Sequence, residues 1–282
     1  MTTEGLFLSQ LAVKDAILVT VRSHRGSVPR ELGAWMAVFD DACVGTIGGG
    51  HLEWQAQAQA RAQLNGEPPQ SPQRYVLGPS LGQCCGGEVV LQFERVTAAD
   101  VTRLGQAFEG VRQSWPTVAL FGGGHVGLAL VGVLAPLQLQ VRWIDSRDEV
   151  FMQPIPGNVC AEHSDPVHSA VSTLAAGSLV LVMSFSHAED LDVVAACLTR
   201  QRERADLPFI GLIGSRTKWA TFRHRLQARG FGDEELAQVT CPIGLPGIIG
   251  KAPEVIAVSV AAQLLRVVGS IHTRFGETSR TT

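Results

Sequence analysis

The length, composition and charge of the chain set the first limits on its fold and function. It has 282 residues, of which 45% are hydrophobic and 17% charged, and its formal net charge is −3. This composition supports packed cores and excludes a largely disordered chain, and the slightly acidic balance gives no reason to expect nucleic-acid binding. The apolar runs are shorter than the roughly 18 residues that a membrane helix needs, so no membrane segment is expected.

The N-terminus and the cysteines bear on the cellular compartment. The segment MTTEGLFLSQ contains an acid and no basic region, so it lacks the pattern of a signal peptide. Six cysteines are too few for a disulfide framework in a chain of this length. Both features predict a cytoplasmic protein whose cysteines remain thiols.

The N-terminal part of the chain mixes short helical and strand-like segments. Predicted strands lie at 16–21, 34–39, 43–47, 75–77 and 89–93, and predicted helices at 6–14, 51–64 and 98–112. The two apolar segments joined by Asp40 and Asp41 have the spacing of a hairpin. The sequence therefore predicts an α+β domain over 1–113.

From Thr117 onward the pattern changes to alternating strands and helices. Predicted strands lie at 117–121, 139–144, 158–161, 178–184 and 208–213, and predicted helices at 126–135, 166–175, 188–202, 216–229 and 253–268. Repeated strand–helix units favour a doubly wound parallel sheet. The predicted fold class is thus α/β, with a Rossmann-like domain over 114–282.

The first strand–helix unit of this domain carries a glycine fingerprint. Gly122, Gly124 and Gly127 form G-x-G-x-x-G between an apolar strand and an apolar helix, and Asp145 ends the following apolar run. In such a turn the glycines let the backbone approach a pyrophosphate, and the helix N-terminus offers it free N–H groups. An acid at the end of the second strand can accept a ribose hydroxyl. We expect these residues to bind a nucleotide-like ligand, with His125 able to contact or crowd its phosphates.

A second unusual stretch is the loop around two adjacent cysteines. Gln83, Cys84, Cys85 and Gly86 stand between glycines and between two predicted strands. A permissive backbone exposes the thiols, and nearby amides favour the thiolate, the form that binds soft metals or exchanges sulfur. Zinc is a poor candidate because the chain has no C-x-x-C pair. The alternative interpretation is a tight turn with two small side chains.

Three further stretches resemble anion-binding turns. Gly48, Gly49, Gly50 and His51 form a second glycine-rich strand-to-helix turn, whose alternative role is an ordinary helix cap. Ser215 and Lys218 follow a predicted strand at the edge where such sheets place ligands, although a solvated basic helix face explains them as well. Lys251 is the candidate anion contact in the proline- and glycine-rich loop before the last helix.

Seven stretches together resemble one family, the XdhC/CoxI accessory proteins of molybdenum hydroxylases. They run in family order over nearly the whole chain: GSVPRELGAWM (26–36), GTIGGGHLE (45–53), LGPSLGQCCGGEV (77–89), LFGGGHVG (120–127), IDSRDE (144–149), FIGLIGSRTK (209–218) and CPIGLPGIIGKAPEVIAVSVAAQLL (241–265). The combination of GQCCGG with GGGHVG is the most specific part of the resemblance.

The resemblance implies a carrier rather than an enzyme. Family members are understood to bind the molybdenum cofactor (molybdopterin), to hold it during sulfuration by a cysteine desulfurase, and to deliver it to apo-xanthine dehydrogenase. It implies Cys84 and Cys85 as molybdenum or sulfur contacts, the glycine turns as phosphate sites, and a homodimer. A molybdopterin offers an anionic phosphate and a soft metal, which suit glycine cradles and thiols respectively.

Two alternatives remain at the level of the sequence. The fingerprint and Asp145 alone favour an NAD(P)-dependent oxidoreductase, although no substrate base can be named for it. A protein–protein adaptor without a small-molecule ligand is the third hypothesis. The sequence does not say which domain would hold the pterin.

Overall fold

The computed structural model describes residues 2–68, 71–77, 86–151 and 154–278. Within these ranges the chain divides into two compact units, Met1–Gly110 and Val111–Thr282. The helices are α1 (Thr3–Leu11), α2 (Gly50–Leu64), α3 (Val101–Gln113), α4 (His125–Leu134), α5 (His187–Arg204), α6 (Arg216–Ala228), α7 (Asp233–Leu236) and α8 (Pro253–Thr278). Helix α3 ends at Gln113, the position after which the sequence predicts the domain boundary, and that boundary stays a prediction.

The strands form one sheet in each unit. They are β1 (Ala16–Arg25), β2 (Trp35–Val38), β3 (Cys43–Gly45), β4 (Gln73–Val76), β5 (Glu88–Val96), β6 (Thr117–Phe121), β7 (Gln140–Asp145), β8 (Val159–His163), β9 (Leu179–Val182), β10 (Phe209–Leu212) and β11 (Val239–Thr240). The first sheet has the order β3-β2-β1-β5-β4 and the second β11-β10-β9-β6-β7-β8.

The first unit is an antiparallel sheet with helices on both faces. In central strand β1, Ile17 and Val19 point to a cluster that includes Leu52 of α2, whereas Leu18 points to a cluster with Phe7 of α1. Successive strand residues face opposite sides, so a strand buried on both faces needs an unbroken apolar run. This explains the AILVTV segment and confirms the α+β character of the N-terminal part.

The second unit is a parallel six-stranded sheet, and it confirms the predicted Rossmann-like fold. Counted along the chain from β6, the strand order is 3-2-1-4-5-6, which is the order of dinucleotide-binding Rossmann folds. Helices α4 and α8 pack on one face and α5 and α6 on the other. The order of strands reverses between β6 and β9, so a ligand crevice is expected at their carboxyl ends.

The structure differs from the predicted elements in several details. Residues 167–173 form a 3₁₀ helix where an α-helix was predicted, and α7 and β11 were not predicted. Helix α8 contains a stretch, Pro253–Ile271, that is long and apolar enough to cross a membrane by composition alone. Ser259, Gln263 and Arg266 divide the apolar runs of this stretch, so none of them reaches that length without interruption. Its side chains Ala257, Val260 and Leu264 are buried in the core of the second unit.

Candidate functional site

The cysteine loop connects β4 to β5 in the first unit. Gln83, Cys84 and Cys85 lie outside the described residues, so their predicted role is untested. The described ends of the connection are close together, because the Leu77 N–H donates to the Gly87 carbonyl at 2.8 Å. Gly86, the last predicted residue of this group, is exposed.

The base of this loop is packed against a neighbouring stretch of the first unit. A Cβ on Gly87 would lie 2.3 Å from the Ser27 carbonyl oxygen and 2.7 Å from that of Arg25. Gly87 is buried, so no larger residue fits there without moving the backbone. The glycine therefore allows the segment at residues 25–27 to contact the end of the cysteine loop.

The glycine turn before α2 is filled by the chain's own carboxylate. Glu53 Oε2 accepts the Ile47 N–H at 3.1 Å, the Gly49 N–H at 3.0 Å and the Thr46 hydroxyl. These amides, predicted to cradle a ligand anion, already donate to an anion within the protein. His51 remains exposed and stacks on Trp54, with ring centroids 5.4 Å apart.

The same turn contacts the segment that follows β1. Gly48 has φ +120°, and a Cβ there would lie 2.5 Å from Pro29 Cβ. Gly26, three residues before Pro29, lies against Gly87. Three of the stretches that carry the family resemblance thus meet in the first unit, through the loop after β1.

In the second unit, the fingerprint glycines have distinct roles. Gly122 has φ +130°, and a Cβ there would lie 2.0 Å from the Met183 carbonyl oxygen. A Cβ on Gly127 would lie 2.1 Å from the Gly122 oxygen. Gly124 has open space where its Cβ would be. Gly122 and Gly127 therefore form the tight turn, and Gly124 leaves room for a ligand beside the helix.

The start of α4 differs from the other helix starts at this edge of the sheet. Ser186 caps α5 by accepting the Glu189 N–H, and Ser215 caps α6 by accepting the Lys218 N–H. Gly124 caps α4 without any side-chain hydrogen bond. An α-helix leaves its first amides without partners inside the helix, so α4 offers donors that no capping side chain has taken. His125, its first residue, is exposed.

Asp145 is buried and fully engaged at the end of β7. Oδ2 accepts the Gly123 N–H at 2.6 Å and Arg147 Nη2 at 3.0 Å, and Oδ1 accepts Arg147 N and Nε at 2.9 Å each. Burial acts to raise the pKa of Asp145, but the hydrogen bonds from Arg147 and Gly123 outweigh it and hold the pKa below its ordinary value. The Asp145 carboxylate, predicted to accept a ribose hydroxyl, is therefore ionised and paired with Arg147.

Lys218 and Ser215 also have partners within the second unit. Lys218 Nζ donates to Asp190 Oδ2 at 2.6 Å and to the Ile213 carbonyl at 2.8 Å. Asp190 Oδ1 accepts the Ser184 N–H at 2.7 Å, so this ion pair joins the loops after β9 and β10. Lys218, the predicted phosphate contact, is thus a largely buried ammonium that forms an ion pair with Asp190. Ser215 caps helix α6.

The last loop, before α8, is held on that helix. The Leu245 N–H donates to Ser259 Oγ at 2.8 Å and the Gly244 N–H to Gln263 Oε1 at 2.7 Å. The loop lines a cavity of about 320 Å³ together with α8. Lys251 is exposed at the end of the loop and does not line this cavity. Its predicted anion contact remains a prediction.

Among the described residues, no group of three or more His, Cys, Asp or Glu side chains is arranged to hold a metal ion. Cys43, Cys160, Cys197 and Cys241 are unpaired thiols. Burial raises the pKa of Cys197 to about 12, so this thiol stays protonated at neutral pH. It therefore does not provide a thiolate for a soft metal.

Comparison with known proteins decides the family. Residues 118–264 match the family described as the XdhC Rossmann domain, and residues 10–75 match the XdhC and CoxI family. The chain belongs to the XdhC and CoxI family. Cys84 and Cys85 fall between the two matched ranges.

A solved structure and a protein of known sequence are similar to most of this chain. A Bacillus halodurans structure described as a xanthine dehydrogenase has a TM-score of 0.72 and 19% identity, covering 96% of each chain. At that identity it shows the shared fold alone. The uncharacterized Escherichia coli K12 protein YqeB is 25% identical over 254 residues, which make up 89% of this chain. The chain spans 43% of the length of that relative.

Sequence reasoning missed two residues that shape these turns. Glu53 was placed at a helix start but not recognised as the acceptor of the turn's amides. Arg147 stood inside the IDSRDE stretch without a role. The available signal was a charged residue just beyond a glycine turn or a strand end, where it can reach the backbone groups of that turn.

Proposed function

We propose that this chain is a molybdenum cofactor chaperone, which binds molybdopterin, holds it during sulfuration and passes it to apo-xanthine dehydrogenase. Membership of the XdhC and CoxI family supports a role in enzyme maturation. The observation that carries the proposal further is the uncapped start of α4, where Gly124 leaves open space beside free amides. A phosphate fits such a helix terminus.

Each unit, taken by itself, offers one candidate contact for a ligand. In the second unit, Gly124 and the first amides of α4 would bind a ligand phosphate, while Gly122 and Gly127 keep the turn tight. In the first unit, Cys84 and Cys85 would contact molybdenum or the transferred sulfur as thiolates. When bound, the cofactor supplies a soft, sulfur-binding metal, and the chain supplies contacts that shield it until transfer.

The proposed chaperone has protein partners and does not itself catalyse a reaction. A cysteine desulfurase would donate the sulfur, apo-xanthine dehydrogenase would receive the cofactor, and the chain would act as a homodimer. A carrier needs no acid–base residues at its ligand, and we therefore propose that it is not an enzyme. These partners are implied by the family and remain to be tested.

The test is direct binding of molybdenum cofactor by purified variants. Replacing both cysteines (Cys84→Ala with Cys85→Ala) should weaken binding at least roughly tenfold, because each metal–thiolate contact is lost. Cys160→Ala is the matched control, since Cys160 is an exposed free thiol of the second unit. Equal affinity in the double variant and the wild type would remove the thiols from the mechanism. Absence of cofactor binding by the wild type would remove the chaperone role.

A further inference from the structure

The acid at the end of β7 stands where Rossmann folds bind the ribose of a dinucleotide. Here Asp145 is 1% exposed, and each of its oxygens accepts two hydrogen bonds, from Gly123 and Arg147. A ribose diol needs this carboxylate as its acceptor. The Arg147 side chain, which forms a bidentate pair with Asp145, occupies that acceptor.

Arg147 is itself held on its other side. Its guanidinium carbon lies 4.3 Å from the centroid of the Phe185 ring, a cation–π contact between the loops after β7 and β9. Val150 packs against the same turn, since a Cβ on Gly123 would lie 2.3 Å from Val150 Cγ2. The segment after β7 therefore lies directly against the glycine turn at this end.

The charges around Arg147 are unfavourable for a second phosphate. Asp145, Glu149 and Glu189 all interact electrostatically with the guanidinium, and the hydrogen bonds that Arg147 donates to Asp145 are the main cause that raises the pKa of Arg147. Glu189 also accepts the Ser146 hydroxyl at 2.7 Å. Three carboxylates thus face one guanidinium, and an added 2′-phosphate would meet net negative charge.

We propose that Arg147 closes the ribose end of the glycine cradle and so excludes both NAD(H) and NADP(H) from the Rossmann unit. The turn keeps its geometry at Gly122 and Gly127 and its open space at Gly124, but the adjoining ribose position is blocked by a side chain of the same chain. Arg147 is therefore the residue that determines specificity, against dinucleotides and in favour of a ligand that needs only the phosphate position.

The experiment is a titration of the full-length protein with NADH and NADPH, followed by nicotinamide fluorescence. The wild type should show no saturable binding at micromolar concentrations. Arg147→Ala frees Asp145 to accept the ribose diol, and NADH should then bind at least roughly tenfold more tightly than to the wild type. NADPH should gain less, because its 2′-phosphate faces Asp145, Glu149 and Glu189.

Two variants control the interpretation. Arg147→Lys keeps a cation beside Asp145 and should gain less NADH affinity than Arg147→Ala. The double change of Asp145→Ala with Arg147→Ala should lose the gain, because the diol acceptor is absent. Circular dichroism checks that each variant is folded, and the wild-type titration tests the proposal even if none of them folds.

Saturable NADH or NADPH binding by the wild type at micromolar concentration would overturn the proposal. Equal NADH affinity in folded Arg147→Ala and in the wild type would also overturn it. The proposal does not depend on molybdenum cofactor binding: a wild type that binds neither cofactor nor NADH contradicts the chaperone role and leaves Arg147 as the closing residue.

Discussion

The two glycine turns of the molecule look alike in sequence and differ in what their amides do. Both follow a strand and open a helix, and both were predicted to cradle an anion. In the turn at Gly48–Gly50, Glu53 accepts two backbone amides and a hydroxyl. In the turn at Gly122–Gly124, the amide that donates to Asp145 is that of Gly123. Neither α2 nor α4 has a side-chain cap, so the two turns differ in the amides that precede the helix.

A glycine-rich turn can bind a ligand anion only where the chain has not supplied a carboxylate of its own. A carboxylate within the protein satisfies the amides and fixes the turn, since buried or partly buried donors need partners. The first turn is therefore a structural support for the loop after β1. The second is the better candidate for a phosphate.

The largest expected effect tests the tight packing of the second turn. Gly127→Ala should lower the free energy of unfolding by about 3 kcal/mol, because its Cβ would lie 2.1 Å from the Gly122 oxygen. Gly132→Ala, in the same helix with open space around it, should stabilise the protein by up to about 0.5 kcal/mol. Urea unfolding followed by circular dichroism measures both. Similar effects of the two changes would mean that Gly127 is not tightly packed.

The second-largest expected effect concerns the Glu53 carboxylate in the first turn. Glu53→Ala leaves the Ile47 and Gly49 amides without their acceptor and should destabilise the protein by about 2 kcal/mol. Glu53→Gln keeps the shape and one acceptor oxygen, so its loss should be smaller. Urea midpoints compare the two variants with the wild type. If Glu53→Ala is as stable as the wild type, the Glu53 carboxylate does not stabilise the first turn by accepting its amides.

A third test uses the pH dependence of Asp145. Its pKa is lower in the folded protein than in the unfolded chain, so its stabilisation is fully present above about pH 4 and is lost as the pH falls through the folded pKa. Asp145→Asn should make stability less dependent on pH in that acid range. Thermal unfolding across pH 2–5 would measure the slopes, with ~pH 7 as the reference where Asp145 is ionised in both states. Parallel curves for the two proteins would show that Asp145 gains nothing from ionisation.

The smallest effect on stability concerns the cap of α4. Gly124→Ser adds a capping side chain and should change the free energy of unfolding by only a few tenths of a kcal/mol. It should weaken cofactor binding about two- to fivefold, because the serine competes for the helix N-terminus. Ser215→Ala, at the capped helix α6, should cost about 1 kcal/mol of stability without affecting the ligand. Unchanged cofactor affinity in Gly124→Ser would move the phosphate site elsewhere.

Sequence patterns predicted the fold well because the burial of each strand and helix determines where its apolar residues lie. The βα alternation after Thr117 and the unbroken apolar strands follow directly from a parallel sheet covered on both faces. The 3₁₀ helix at 167–173 was not anticipated, since a short apolar periodic segment does not distinguish it from an α-helix. Helix α8 was predicted over 253–268 and continues to Thr278. Ser259 and Gln263 divide its apolar runs and accept amide hydrogen bonds from the last loop.

The sites were harder to predict for a physical reason. Glycine spacing correctly indicated a Rossmann turn, but spacing carries no information about which charged side chain reaches the turn. Glu53, Arg147 and Asp190 act through contacts that only the folded chain brings together. Lys218 looked like a free cation in the sequence and is paired in the structure, because Asp190 lies in the first turn of α5 at the same edge of the sheet.

Metal and mass analysis of the protein purified from cofactor-replete cells tests the proposal that this chain binds the molybdenum cofactor. We expect molybdenum and molybdopterin in near-stoichiometric amounts with the wild type. Strongly reduced amounts are expected with the Cys84→Ala and Cys85→Ala double variant and wild-type amounts with Cys160→Ala. Wild-type protein that contains neither molybdenum nor a pterin would contradict the proposal.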